Sequence, residues 1–252
     1  MKGLLVMSDI HGHLDTFNRI FSSIQEKVEQ GYLLILLGDY VGYCPKSLEM
    51  LDRVIELDAK YPSIHVLKGN WERMLYDAAF DPNGQKAYQA MKKRGAADIV
   101  DKLRNDRAKR LIRKEALQSM KTHLQIGEYF FAHTGVNLEK WVEGNTWEDF
   151  LSRQTEDDLI ENRMFYNQIE EYTARALVGK DHEAYSSIIE EIPYHIITGH
   201  APVNRINPKN KELTPLPFVR GPVIGVDFAA SSRKHVGLLQ LQPYFSLYLE
   251  KI

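Results

Sequence analysis

The stretch Gly3–His13, GLLVMSDIHGH, decides the reading. Its apolar run does not alternate with polar residues and stops abruptly at Ser8 and Asp9, the pattern of a strand buried on both faces that presents polar side chains at its C-terminal end. The pattern recurs twice. Tyr32–Leu37 (YLLILL) stops at Gly38 and Asp39, and Ile64–Lys68 (IHVLK) stops at Gly69 and Asn70. Between these runs, Leu14–Gln30 and Ser47–Lys60 predict helices, the second with Leu48, Leu51, Val54 and Ile55 at helical spacing. Buried strands separated by helices make βαβ units and a largely parallel sheet. Such sheets gather ligands at the C-terminal strand ends, where Asp9, Asp39 and Asn70 fall.

Further along, Gln85–His123 is charged and helical, with Arg94, Arg104, Arg107, Arg110 and Arg113 mixed among acids. No aromatic ladder accompanies them, so they read as a solvated helical face rather than a nucleic-acid surface. One strand, Gln125–Ala132, then ends at His133. A Glu-rich helical stretch returns through His195–Thr198 to Gly199 and His200. Three closely spaced strands, Val223–Phe228, Val236–Leu241 and Tyr244–Leu249, predict antiparallel pairing and a mixed second sheet.

With 252 residues, 44% hydrophobic and 26% charged, the chain has the make-up of a folded globular protein. The length suits one domain over residues 1–252, with helical inserts at about 85–123 and 145–192. Its 32 basic and 34 acidic residues leave a net charge of −2, which gives no general reason to bind nucleic acid or an anionic membrane. The longest apolar run, Leu33–Leu37, is far short of the ~20 residues of a membrane helix, so a cytoplasmic location is expected. Cys44 is the only cysteine. Any metal must therefore be held by nitrogen and oxygen.

Five strand ends deliver, in order, Asp9 with His11, Asp39, Asn70, His133 and His200, each beside a glycine. Carboxylates, imidazoles and an amide oxygen suit Mn²⁺, Fe or Zn. Six donors are too many for one catalytic ion that keeps positions open for water and substrate. They fit two ions about 3.5–4 Å apart that share one carboxylate.

The blocks SDIHGH (Ser8–His13), LGDYVGYCP (Leu37–Pro45), KGNWE (Lys68–Glu72), AHTGV (Ala132–Val136), TGHAP (Thr198–Pro202) and IGVDFAA (Ile224–Ala230) resemble, in the same order, those of the calcineurin-like metallophosphoesterases. The likeness is strongest to the phosphoprotein phosphatase and diadenosine tetraphosphatase branch. It implies an α/β fold, a four-layer α/β/β/α sandwich of two mixed sheets with a helical insert. It also implies a binuclear metal-dependent phosphohydrolase using two divalent ions, Mn²⁺ first, with Fe, Zn or Mg as alternatives. By resemblance, Asp9, His11 and His200 hold one ion, Asn70 and His133 hold the other, and Asp39 bridges, with His200 able to reach either. Asp39, His133 and His200 are then the catalytic residues. Asp227 becomes a buried neighbour of the site, and His13 either supports the first loop or caps the following helix.

Two departures bear on the substrate. Where this branch carries an aspartate–histidine pair that protonates the leaving group and an arginine that grips phosphate, this sequence has Gly42, Trp71 and Tyr43. General acid catalysis is worth ~10²–10⁴-fold, so its loss favours substrates whose leaving group departs as a stable anion. A phosphoanhydride or activated phosphoester fits, a dinucleoside polyphosphate above all, which makes a phosphorylated small molecule or nucleotide the expected partner. Reinstalling the pair through Gly42→Asp with Trp71→His is expected to narrow the gap to alkyl esters. Arg163, in LIENRMF (Leu159–Phe165), Arg73 and Lys68 are the candidate phosphate binders, with Trp71 as an aromatic face for a base. Two other readings are a serine/threonine-type phosphoprotein or small-molecule phosphomonoesterase, and a catalytically weak metal-binding module for a nucleotide or protein. Retention of all six donors speaks against the last.

Overall fold

Residues 2–178, 191–206, 216–232 and 235–252 are described in a computed structural model of the chain, 172–178 by their backbone alone. The opening units form β1 (Leu4–Met7), α1 (Leu14–Glu29), β2 (Leu33–Leu36), α2 (Ser47–Lys60), β3 (Ile64–Val66) and α3 (Asn70–Phe80). β1 pairs parallel with β2, Leu4 opposite Leu33, and β2 pairs parallel with β3. The run Leu4–Met7 is wholly buried because it is covered from both sides. Leu5, Met7, Leu34 and Leu36 pack with Phe17, Ile20 and Phe21 of α1 and Met50 and Val54 of α2. Leu4, Val6 and Ile35 pack instead with Phe130, Phe131, Ile196 and Ile197 of a second sheet.

That second sheet contains β4 (His123–Ile126), β5 (Tyr129–Ala132), β6 (His195–Thr198), β7 (Phe218–Arg220) and β8 (Val223–Gly225), in the order β4-β5-β6-β8-β7. Its three central strands are parallel and its two edge strands antiparallel. The first sheet is completed by β9 (His235–Gln242) and β10 (Ser246–Lys251), in the order β10-β9-β1-β2-β3. The result is the four-layer sandwich of two mixed five-stranded sheets. Two strand expectations are corrected. Gln125–Ala132 is not one strand but a hairpin, because Gly127, with φ +57°, and Glu128 turn the chain between β4 and β5. The last two strands join the first sheet, β9 antiparallel to β1, rather than the second.

Helices occupy both insert regions. α4 (Gln85–Lys93), α5 (Ala97–Asn105) and α6 (Arg110–Ser119) share a separate core with α2 and α3, built on Leu51, Leu75, Met91, Val100, Leu103 and Leu117. Buried Arg113 fastens this layer, reaching Asp52 of α2 at 2.7 and 2.9 Å and Asp106 at 2.7 Å. In the later region, α7 (Trp147–Ser152), α8 (Glu156–Ile160) and α9 (Phe165–Val178) pack on the second sheet, Trp147 edge-on to Phe130 and Tyr166 edge-on to Phe218. Residues 179–190 of that insert lie outside the described residues. Among the described residues no helix is long and apolar enough to cross a membrane.

Candidate metal centre

The polar residues singled out at the strand ends converge on one point. Of the five non-glycine residues with positive φ among the described residues, four are in this set: Asp9 (φ 55°), His11 (48°), Asp39 (57°) and His200 (63°). Left-handed backbone costs an L-residue ~1–2 kcal/mol, so conformational strain is concentrated where the donors sit. The loops hold one another in place. Asp9 N–H donates to Gly38 O at 3.1 Å, His11 N–H to Asp39 O at 2.9 Å and Gly199 N–H to His133 O at 2.9 Å. Glycine is required at the closest approaches. A Cβ on Gly38, whose φ is 105°, would lie 2.4 Å from Gly69 N, and one on Gly199 would lie 1.9 Å from Ser8 Oγ.

Two donor groups result, Asp9–His11–Asp39 and Asp39–His133–His200, with Asp39 common to both. His11 Nε2 lies 3.9 Å from Asp9 Oδ1 and 3.8 Å from Asp39 Oδ2. On the other side, His133 Nε2 lies 3.4 Å from Asp39 Oδ1, while His133 Nε2 and His200 Nδ1 are each 3.1 Å from Asn70 Oδ1 and 3.3 Å from each other. Backbone carbonyls select the ring tautomers: His11 Nδ1 faces Val41 O at 3.1 Å and His133 Nδ1 faces Leu37 O at 3.0 Å. Each Nδ1 thus donates, and each Nε2 is turned toward the carboxylates, as histidine ligands are. The geometry groups His200 with His133 and Asn70 rather than with His11. Its backbone N–H nevertheless donates to Asp9 Oδ2 at 2.8 Å, tying the two groups together.

Electrostatics ask for cations here. Asp9, Asp39, Glu72 and Asp227 are all buried, and among the described residues no lysine or arginine pairs with any of them. Burial pushes the Asp9 and Asp227 carboxyls up. Burial also opposes charge on His133, yet Asp39, Asp9 and Glu72 drive its imidazole up to about 10. Burial and the neighbouring His133 press His200 down to about 3. The cluster draws positive charge into the space between its donors, and a set of carboxylate, imidazole and amide donors with no thiolate fits divalent ions that take oxygen and nitrogen.

Glu72, quoted in KGNWE but given no role by the sequence reading, organises the centre. Its carboxylate accepts from the backbone N–H groups of Asp39 (2.7 Å), Tyr40 (2.9 Å), Val41 (3.1 Å) and Gly69 (3.0 Å). Burial raises its pKa to about 7, against the pull of those donors. Asp227 lies beside the site with its carboxylate on Ala229 N–H at 2.8 Å. His13 sits at the N-cap of α1, its carbonyl accepting Phe17 N–H at 2.9 Å, but its side chain makes no capping hydrogen bond. Its ring reaches Ala230 O at 3.2 Å and the Cys44 thiol at 3.3 Å, joining three loops.

The donors open into a cavity of about 300 Å³ that is also lined by Tyr43, Trp71, Arg94, Arg163, Tyr166 and Arg205. Arg163 is brought to it, and its ion-pair partner among the described residues is Glu161, at 3.7 Å. Arg73 is not: it turns away to Asp157 and Glu161. Trp71 offers little face to a base. It is only 4% exposed, edge-on to Tyr43 at 4.8 Å and to His11 at 5.6 Å, and Tyr43 is the exposed ring. The sequence reading sets Arg94 on a solvated helical face and gives Arg205 no role, since a turn after α4 and the four-residue helix α10 (Val203–Ile206) carry no local signal of a site. Gly42 leaves no room for the missing aspartate, because a Cβ there would lie 2.4 Å from His11 Nδ1.

Two packed mixed sheets with strand ends meeting in such a donor set define a metal-dependent hydrolase of the sandwich type. The chain belongs to the calcineurin-like phosphoesterase family, whose model matches residues 3–226 and so takes in all six donors. It is a phosphoester hydrolase. No curated protein matches the sequence significantly. Among solved structures, a provisionally assigned diadenosine tetraphosphatase superposes with a TM-score of 0.62 at 15% identity, covering 99% of this chain and 94% of its own. A cold-active protein-tyrosine phosphatase from a psychrophilic Shewanella species gives 0.58 at 15% identity, covering 99% and 80%. A protein serine/threonine phosphatase from Saccharomyces cerevisiae gives 0.55 at 13% identity, covering 99% and 79%. At these identities the likeness is one of fold.

Proposed function

We propose that the protein is a binuclear metal-dependent phosphohydrolase acting on phosphoanhydrides or activated phosphoesters, of which dinucleoside polyphosphates are the favoured class. The observation that carries this reading is the position of Asp39, whose two carboxylate oxygens face His11 on one side and His133 on the other. Asp9, His11 and Asp39 would hold one ion, and Asp39, Asn70, His133 and His200 the other. Mn²⁺ suits the mixed oxygen and nitrogen donors, with Fe, Zn or Mg as alternatives, and the lone thiol suits a reducing, cytoplasmic setting. Two such ions supply Lewis-acid polarisation of the phosphoryl group and a lowered pKa for the attacking water.

The chain's own residues orient and select. Glu72 fixes the Asp39–Val41 loop by accepting its three N–H groups and ties it to Gly69 N–H, and Leu37 and Val41 carbonyls hold the imidazoles in their tautomers. Arg163 faces the transferred phosphoryl group from the cavity wall and can grip it bidentately. Among the described residues at positions 42, 43 and 71, no acid stands ready for the leaving group. Gly42 has no side chain, the Trp71 indole does not ionise near neutral pH, and burial pushes the Tyr43 phenol further up. Good leaving groups are therefore favoured.

Assaying the Mn²⁺-loaded protein on an anhydride, an aryl phosphate and a phosphoserine peptide tests this. The anhydride and aryl ester should run ahead by at least ~10²-fold, the lower end of what a general acid contributes. Equal rates on the phosphoserine peptide would contradict the reading.

A further inference from the structure

The cavity wall carries more cationic charge than one phosphoryl group needs. Arg94 caps α4, where Gly95 (φ 74°) turns the chain, Arg163 precedes α9, and Arg205 lies in α10. Arg73, Arg113 and Arg220 are each held by carboxylates. By contrast, the Arg94 side chain donates only to Ala90 O of its own helix, and Arg205 has no acidic partner among the described residues. All three line the cavity into which the donors open, together with the exposed Tyr43 ring. Arg163 is the one set against the transferred phosphoryl group above, which leaves Arg94 and Arg205 as the unassigned cations of that wall.

We propose that Arg94 and Arg205 form a second anion subsite, with Tyr43 as its aromatic floor, that holds the phosphate chain of a nucleoside or dinucleoside polyphosphate beyond the phosphorus under attack. This rests on the hydrolase reading above. Hydrolysis of a P–O–P link joins a water oxygen to one phosphorus and breaks the bridging P–O bond. The electron pair departs on the next phosphate, and the water proton goes to solvent. Two guanidinium groups beside that departing oxyanion stabilise it by charge, which answers the missing proton donor at positions 42 and 71. A cavity of about 300 Å³ admits a short phosphate chain, leaving the base to lie over Tyr43 at the mouth.

The test compares wild type with Arg94→Ala/Arg205→Ala and with Tyr43→Ala. Each is assayed on ATP, diadenosine tetraphosphate, inorganic tripolyphosphate and an aryl phosphate, and tripolyphosphate and inorganic phosphate binding are measured by calorimetry on the metal-loaded proteins. Losing two charge-assisted contacts should lower the ratio of kcat/KM on the anhydrides to that on the aryl phosphate by ~30-fold or more, and weaken tripolyphosphate binding more than phosphate binding. Tyr43→Ala should lower that ratio for the two nucleotides and not for tripolyphosphate. An unchanged ratio, or equal losses on all substrates, would overturn the subsite. Wild type that hydrolyses nothing yet binds tripolyphosphate through Arg94 and Arg205 would instead overturn the hydrolase reading and leave the subsite standing.

Discussion

Glu72 shows how one buried side chain sets the geometry of others. Its two oxygens take four backbone N–H groups, three from the loop after β2 and one from the loop after β3. In Glu72→Gln one oxygen becomes an NH₂ that faces N–H donors, so the variant should lose about 2–4 kcal/mol of stability and much of its activity. Denaturant unfolding measures the first and kcat the second; wild-type values for both would remove Glu72 from its organising role. Gly42→Asp is the second residue-scale prediction. A Cβ there meets the His11 ring, so the substitution should cost metal affinity and activity instead of restoring an acid, with or without Trp71→His. A rise in phosphoserine hydrolysis in the double variant would contradict this. Gly42 and Trp71 were legible in the sequence as departures. What replaces them in space was not, because it depends on a ring that arrives from another loop.

Among the elements, the helical layer α4–α6 hangs on Arg113. Arg113→Ala leaves Asp52 and Asp106 without their guanidinium and should cost about 2–3 kcal/mol, seen as a lower unfolding midpoint with α4–α6 amides exchanging first. α8 carries a pH signature. Asp158, in a capping box with Thr155 and paired with Lys140, is pulled against its burial to about 2. Because the folded value lies below the unfolded value of ~3.9, its contribution of about 2 kcal/mol is present above pH ~4 and is lost as pH falls toward 2. Asp158→Asn should flatten the acid limb of the stability curve over that window, and an unchanged limb would contradict it. Element identity was readable wherever burial on both faces erased alternation, as in β1 and β2. It failed at β4–β5, where only Gly127 and Glu128 separate the two strands, and at β9, whose antiparallel partner β1 lies more than two hundred residues away.

Over the whole molecule, stability and the site pull in opposite directions. Asp9, His11, Asp39 and His200 hold strained backbone around buried carboxylates that no lysine or arginine among the described residues pairs with, while two well-packed sheets hold that arrangement in place. The donors were legible as types and spacings, since a short polar cluster must follow each buried strand. Their division into two groups around Asp39 was not, because it depends on how two sheets converge. The proposed account expects divalent ions to raise the unfolding temperature by binding only the folded chain. Its central claim is that two ions share Asp39, and metal analysis at saturating Mn²⁺ tests it most directly. Wild type should hold close to two equivalents per chain and Asp39→Asn clearly fewer. One equivalent or less in the wild type, or a full complement in Asp39→Asn, would contradict it.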